Sequence, residues 1–280
     1  MVQKIRNFVF FLMRFKLIRF LSIPFIALGN ILRKEKHRYN LLHRERLSKE
    51  IHSTYLKEEL SVMAGPFKGL QYPAFKAYTS SILPKILGTY ESEIYDHIDT
   101  FLKKKYAQVI DIGAAEGYYA VGIARNMNTT PIICYDVNPQ ALAFCKKMGE
   151  LNQINNLQVN GLFTTEHFEK YAYQNSLIIC DVDGYEKDLF PNTQIVEKLK
   201  FSDLIIETHD YIDPSITQNL IKVFSPTHDC VVIPYKSNKV DELPKALFEK
   251  ATLEEKKIAV LERIVDNKWI IAKAKNTLSS

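Results

Sequence analysis

Cysteine is scarce and unpaired here: Cys134, Cys145, Cys180 and Cys230 show no C-x-x-C spacing, and three of them fall in apolar, strand-like runs. This argues against a disulfide frame or a structural zinc site and reads as reduced core thiols of a cytoplasmic protein. No long apolar run stands at the start of the chain either. The longest uncharged stretch there, Phe20 to Leu32, contains Pro24 and falls short of the ~20 apolar residues a membrane-crossing helix needs. Arg14, Lys16 and Arg19 interrupt any signal-peptide core, and no small-residue cleavage site follows. Internal repeats and low-complexity tracts are absent, as is the G-x-G-x-x-G fingerprint of a dinucleotide fold.

What is present is unevenly charged. Residues 1–60 carry 13 Lys/Arg against 5 Asp/Glu, and the remainder 24 against 27, so a basic arm precedes a slightly acidic body. The arm mixes Phe, Leu and Ile with its basic residues, and two readings stay open for residues 1–35. They lie in the plane of an anionic membrane surface, which would put the protein on the inner membrane face, or they pack on protein, on this chain or on a second copy in a homo-oligomer. Arg38 to Leu60 reads as a charged, solvated helix with surface histidines His43 and His52, and Gly65 to Tyr72 as a hairpin or turn. The expected division is a helical arm over 1–60 and one domain over 61–280.

From Gln108 onward, β-branched runs alternate with helical stretches, the pattern of a parallel sheet covered on both faces. The strands expected are 108–112, 131–135, 157–160, 177–180, 203–207, 230–234 and 269–274, with helices over Tyr118–Asn126, Gln140–Asn152 and Pro244–Leu261. Ligands of such sheets bind at the carboxyl ends of the strands. That places the chemistry at Asp111–Gly117, Asp136, Asn160, Asp181–Glu186 and Glu207–Asp210.

The turn "VIDIGAAEGYY" (109–119) spaces Gly113 and Gly117 as D-x-G-x-x-x-G, with Ala115 where a dinucleotide fingerprint has its middle glycine. Asp111 and Glu116 would repel phosphates but suit a cation carrying an amino group and a sulfonium, as S-adenosylmethionine does. Asp136 ends the second strand, where a carboxylate accepts from both ribose hydroxyls.

These residues, together with "GTYESEI", "CYDVNPQALAFCKKMGELN", "IICDVDGYEKDLF" and "LIIETHD", resemble class I methyltransferases, and more closely the FkbM-type family, over roughly residues 65–275. The resemblance implies an α/β, Rossmann-like seven-stranded sheet of order 3-2-1-4-5-7-6 whose last strand is antiparallel, with S-adenosylmethionine as cofactor. It puts Asp111, Gly113 and Gly117 along the methionine part, Asp136 by the ribose, Asn160 and Gly161 by the adenine, and Glu91 and Asp181 close to the pocket, with Ala114, Glu116 and Asn138 also among the cofactor-binding residues. Characterised members of the family mostly methylate hydroxyl oxygens. One departure is Asp183, where the family commonly has Glu, a carboxylate of longer reach.

Methyl transfer to a hydroxyl requires the acceptor's proton to be taken. His209 is the expected general base, oriented by Glu207 or Asp183, with Asp181 and Asp183 completing the catalytic set. Asp181, Asp183 and His209 also offer a hard cation its ligands, but D-x-D recurs by chance and no metal is expected. A nucleic-acid base methyltransferase would show an Asn/Asp-Pro-Pro-aromatic turn where this chain has "DVDG", so no nucleic-acid partner is expected. The acceptor expected is a sugar, glycan or other small metabolite, its pocket drawn partly from Gly65–Leu87. The rivals are a non-catalytic module that binds a membrane or partner and, further off, a nicotinamide-dependent oxidoreductase.

Overall fold

The computed structural model describes residues 16–237, 240–263 and 267–276, with side chains from Asn30 onward. The chain divides into two compact units, residues 1–51 and 52–280, so the expected boundary at residue 60 lies inside the second. A helix runs from Lys16 to Tyr55. Among the described residues no helix is long and apolar enough to cross a membrane. The contact expected of residues 1–35 falls mainly on side chains outside the described ones.

Seven strands make one sheet: β1 (Gln108–Ile112), β2 (Ile132–Tyr135), β3 (Leu157–Asn160), β4 (Ser176–Cys180), β5 (Asp203–Thr208), β6 (His228–Pro234) and β7 (Lys268–Ala274). Their order is β3-β2-β1-β4-β5-β7-β6, as the resemblance implies. β1 to β5 pair in parallel, and β7 runs antiparallel to both β5 and β6. The central strands are continuous apolar runs because helices cover both faces. β4 and β5 are buried at every position, whereas the edge strands β3 and β6 are only partly so. Pro234 sits at the end of edge strand β6, where its missing N–H costs no ladder bond.

The three parallel strands β1, β4 and β5 therefore end together. In register, Asp111 stands beside Cys134 of β2 and Ile179 of β4, one residue short of the strand's end. The core under them is aliphatic in the sheet and aromatic in the helices, with Phe168, Phe190 and Phe224 fully buried against Ile178, Leu204 and Ile206. Cys134, Cys145 and Cys180 are free and buried.

Two local expectations need correction. Pro244–Leu261 is not one helix but two, Lys245–Phe248 and Leu253–Ala259. Thr252 starts the second through a capping box with Glu255, a T-x-x-E signal that outweighs the helical periodicity around it. His52 is buried rather than on the surface: its Nε2 lies 2.7 Å from the Glu59 carbonyl and its ring stacks on Phe75 at 3.9 Å. The segment after it does turn back on itself, through the bridge between Ser61 and Gln71 and the bonds Val62 N to Leu70 O and Gly69 N to Val62 O.

Candidate active site at the strand ends

The turn after β1 is forced by its glycines. Gly113 has φ +85° and Gly117 φ +95°, the left-handed region that side chains disfavour. A Cβ on Gly113 would lie 1.6 Å from the Asp181 carbonyl oxygen, and one on Gly117 would lie 2.6 Å from Cys145 Sγ. The glycine turn is thus pressed against the end of β4, and Asp181 belongs to both halves of the rim.

Asp136 locks this turn from the next strand. Its Oδ2 accepts from Ala115 N at 2.8 Å and its Oδ1 from Asn138 N at 2.7 Å. Each oxygen keeps a second lone pair for a ligand hydroxyl. Asn138 caps the helix Pro139–Leu151 by accepting from Gln140 N and Ala141 N, so its side chain is engaged in the fold. Asn160 holds the β2–β3 edge: its carbonyl accepts from Asp136 N at 3.3 Å. Gly161 has open space around it. Beside these residues stand Val137 and Leu162, large apolar side chains that are 74% and 59% exposed. Neither was expected from the sequence, where each reads as an ordinary aliphatic; the signal is their exposure at adjacent strand ends.

Asp111 is 2% exposed, and its Oδ2 has no hydrogen-bond partner among the described residues. Burial, with the charges of Asp181 and Asp136 nearby, pushes its carboxyl up to about 8. Glu116 behaves otherwise than expected. It is fully buried and pairs with Lys85, and it also accepts from Tyr78 N at 2.9 Å and Tyr72 Oη at 3.4 Å. A carboxylate with three protein partners anchors the segment 72–85 beneath the turn and does not reach for a ligand. That segment belongs to the Gly65–Leu87 stretch, which thus supports the turn.

The second half of the rim is ionic. His209 follows β5 and is 2% exposed. Its Nδ1 lies 2.6 Å from Glu186 Oε1, so Glu186 orients the ring in place of Glu207 or Asp183. Glu186 is fully buried, sits at the start of the short helix Glu186–Leu189, and also accepts from Gly184 N at 3.1 Å. Around His209 Nε2 stand Asp183 Oδ1 at 3.5 Å, Asp181 Oδ1 at 3.6 Å and Glu207 Oε2 at 3.7 Å. Burial alone would lower the His209 pKa, but the Glu186 bond and the Asp181 charge outweigh it and raise it. Asp181 is pushed up to about 7 by burial, against the opposing pull of His209.

Behind this group Arg263, from the segment joining β6 to β7, pairs through one guanidinium nitrogen with Glu207 and through another with Glu91. Glu91 also accepts from Tyr119 Oη. Glu207 takes a further bond from Asn267 Nδ2 at 3.1 Å. Glu91 is thereby tied to Glu207 through an arginine that sequence spacing does not reveal. Glu91, Ala115 and Asp183 are three of the eight non-glycine residues with positive φ among the described ones. Tyr211 and Ile212, each about half exposed, lie next to His209 and Gly184. Asp210 is tied to Thr217 and Lys268 instead.

No protein-family model matches the chain, and no curated protein matches it. Among solved structures the chain is similar to precorrin-6y C5,15-methyltransferase from Geobacter metallireducens GS-15, at 13% identity and TM-score 0.43, over 63% of this chain and 84% of that one. It is also similar to an rRNA methylase from Streptococcus thermophilus, at 12% identity and TM-score 0.41, over 65% of this chain and 97% of that one. The bifunctional kinase-methyltransferase WbdD is similar at 12% identity and TM-score 0.41, over 65% of this chain and 38% of its own.

Proposed function

We propose that the protein is an S-adenosylmethionine-dependent methyltransferase of the FkbM type that acts on a hydroxyl oxygen of a sugar, glycan or other small metabolite. The observation that carries this reading is the pairing of a buried Asp111 carboxyl, whose Oδ2 lacks a hydrogen-bond partner among the described residues, with a glycine turn that has no room for side chains. Such a site favours a cation and disfavours a diphosphate, which sets it apart from a nicotinamide site. Asp136 would accept from the ribose hydroxyls, Val137 and Leu162 would flank the flat adenine, and Asp111 would hold the amino group near Gly113.

Bound there, S-adenosylmethionine supplies an electrophilic methyl group. The chain's remaining tasks are to place the acceptor oxygen in line, ~3–3.5 Å from the methyl carbon, and to receive one proton. Asp181 adjoins Gly113 on one side and faces His209 on the other, so the acceptor would enter between them, past Tyr211 and Ile212. The catalytic set Asp181, Asp183 and His209 is then where the acceptor hydroxyl loses its proton. Attachment of residues 1–35 to an anionic membrane surface forms part of the same proposal and would suit a lipid-linked glycan.

Calorimetric titration with S-adenosylmethionine, S-adenosylhomocysteine and NAD tests the reading. The first two are expected to bind and NAD is not. Asp136→Ala is expected to weaken the first two by tenfold or more, since a lost hydrogen bond to a charged group costs ~1.5–3 kcal/mol. Binding of NAD alone would overturn the proposal.

A further inference from the structure

His209 is almost wholly buried and its Nδ1 is committed to Glu186, while its Nε2 faces carboxylate oxygens, none of these nearer than 3.5 Å. Three carboxylate oxygens surround that nitrogen at 3.5, 3.6 and 3.7 Å. Those separations are long for hydrogen bonds but match ligands that share one cation. Two bonds of ~2.1 Å that open by ~110–120° set their ligand atoms about 3.4–3.6 Å apart. One ligand atom each from Asp181, Glu207 and His209 lies within 4.8 Å of the others.

Two further features point the same way. A buried carboxylate on the far ring nitrogen is the device that fixes a metal-binding imidazole, since it holds the proton on Nδ1 and leaves the Nε2 lone pair free. Charge is also out of balance: Arg263 is spent on Glu91 and Glu207, which leaves Asp181, Asp183 and Glu186 facing a single imidazole.

We infer that Asp181, Glu207 and His209, with Asp183 at the mouth, bind a divalent cation. One imidazole nitrogen among carboxylate oxygens suits a first-row ion such as Mn²⁺ better than Ca²⁺, which takes oxygen ligands only. His209 is then a ligand, and the cation lowers the pKa of a coordinated acceptor hydroxyl. The proton passes to Asp183, the most exposed carboxylate of the group, and on to solvent. The oxygen's electron pair forms the new O–C bond as the C–S bond breaks, leaving a neutral thioether. Only this use of the cation rests on the methyltransferase reading; its binding does not.

The test is a titration of the full-length, EDTA-stripped protein with MnCl2 in the absence of cofactor, with free Mn²⁺ followed by electron paramagnetic resonance. One Mn²⁺ per chain is expected, bound at least tenfold more weakly by Asp181→Asn and by His209→Gln and unaltered by Glu166→Gln, a distant exposed carboxylate. Should His209→Gln fail to fold, Asp181→Asn and the exposed Asp183→Asn carry the comparison, with circular dichroism confirming their fold. Several weak sites, or one site indifferent to Asp181→Asn and Asp183→Asn, would overturn the inference. A cofactor titration in metal-free buffer reads the methyltransferase proposal separately, so either can fail alone.

Discussion

The two halves of the strand-end rim are built by different means. At β1 and β2 the site is made of backbone: two glycines at positive φ, and one carboxylate, Asp136, that holds Ala115 and Asn138 by their N–H groups. At β4 and β5 it is made of charge, with Glu186, His209, Glu207, Arg263 and Glu91 joined in series. The first half is preorganised by local geometry and depends on small size. The second depends on distant segments meeting, and removal of one member strands the others.

That contrast predicts which substitutions cost most. Arg263→Ala is expected to be the most damaging, because it leaves Glu91 and Glu207 buried without their counter-charge, a loss of ~3–5 kcal/mol. For a chain this long it should read as a melting temperature lower by roughly 10 °C. A melting temperature within a degree or two of the wild type would show that the charged half is not held by this pair.

Gly113→Ala comes next. The Asp181 carbonyl must give way to the new Cβ, at a cost of ~1–3 kcal/mol, and cofactor binding should be lost to calorimetry. The contrasting variant, Gly161→Ala, meets no atom of the described residues within 4 Å and should stay within ~0.5 kcal/mol of the wild type. Equal effects at the two glycines would remove the claim that close approach shapes the first half.

A smaller effect is expected from pH. The Asp111 carboxyl is raised to about 8 from its ordinary 3.8, so the folded protein binds more protons than the unfolded chain between these values. This group therefore makes stability fall as pH rises across that window. A cationic ligand reverses the preference, so affinity for S-adenosylmethionine should rise with pH, by roughly twentyfold between pH 6 and pH 7.5. Asp111→Asn should flatten the profile, and an unflattened profile would assign the titration to another group.

The same contrast explains what could be read from the sequence. Gly113, Gly117 and Asp136 lie within one strand-turn-helix-strand stretch, so their spacing carries the geometry of the turn. Strand order was legible through the family resemblance, and strand ends differed by one or two residues. Glu186 as the orienter of His209 was missed because helix periodicity says nothing about which acid a buried imidazole will meet. Arg263 was missed because it reaches the rim from 56 residues beyond Glu207 and 172 beyond Glu91, separations at which spacing carries no signal. Glu116 was misread for the opposite reason: its place in the turn suggested a ligand contact, while Lys85, from an earlier helix, claims it.

The most direct test is a crystal structure with S-adenosylhomocysteine bound. The ribose hydroxyls are expected on Asp136, the amino group by Asp111 and Gly113, and the sulfur directed at the space between Asp181 and His209. A nucleoside bound away from Asp136, or a sulfur facing away from Asp181 and His209, would contradict it.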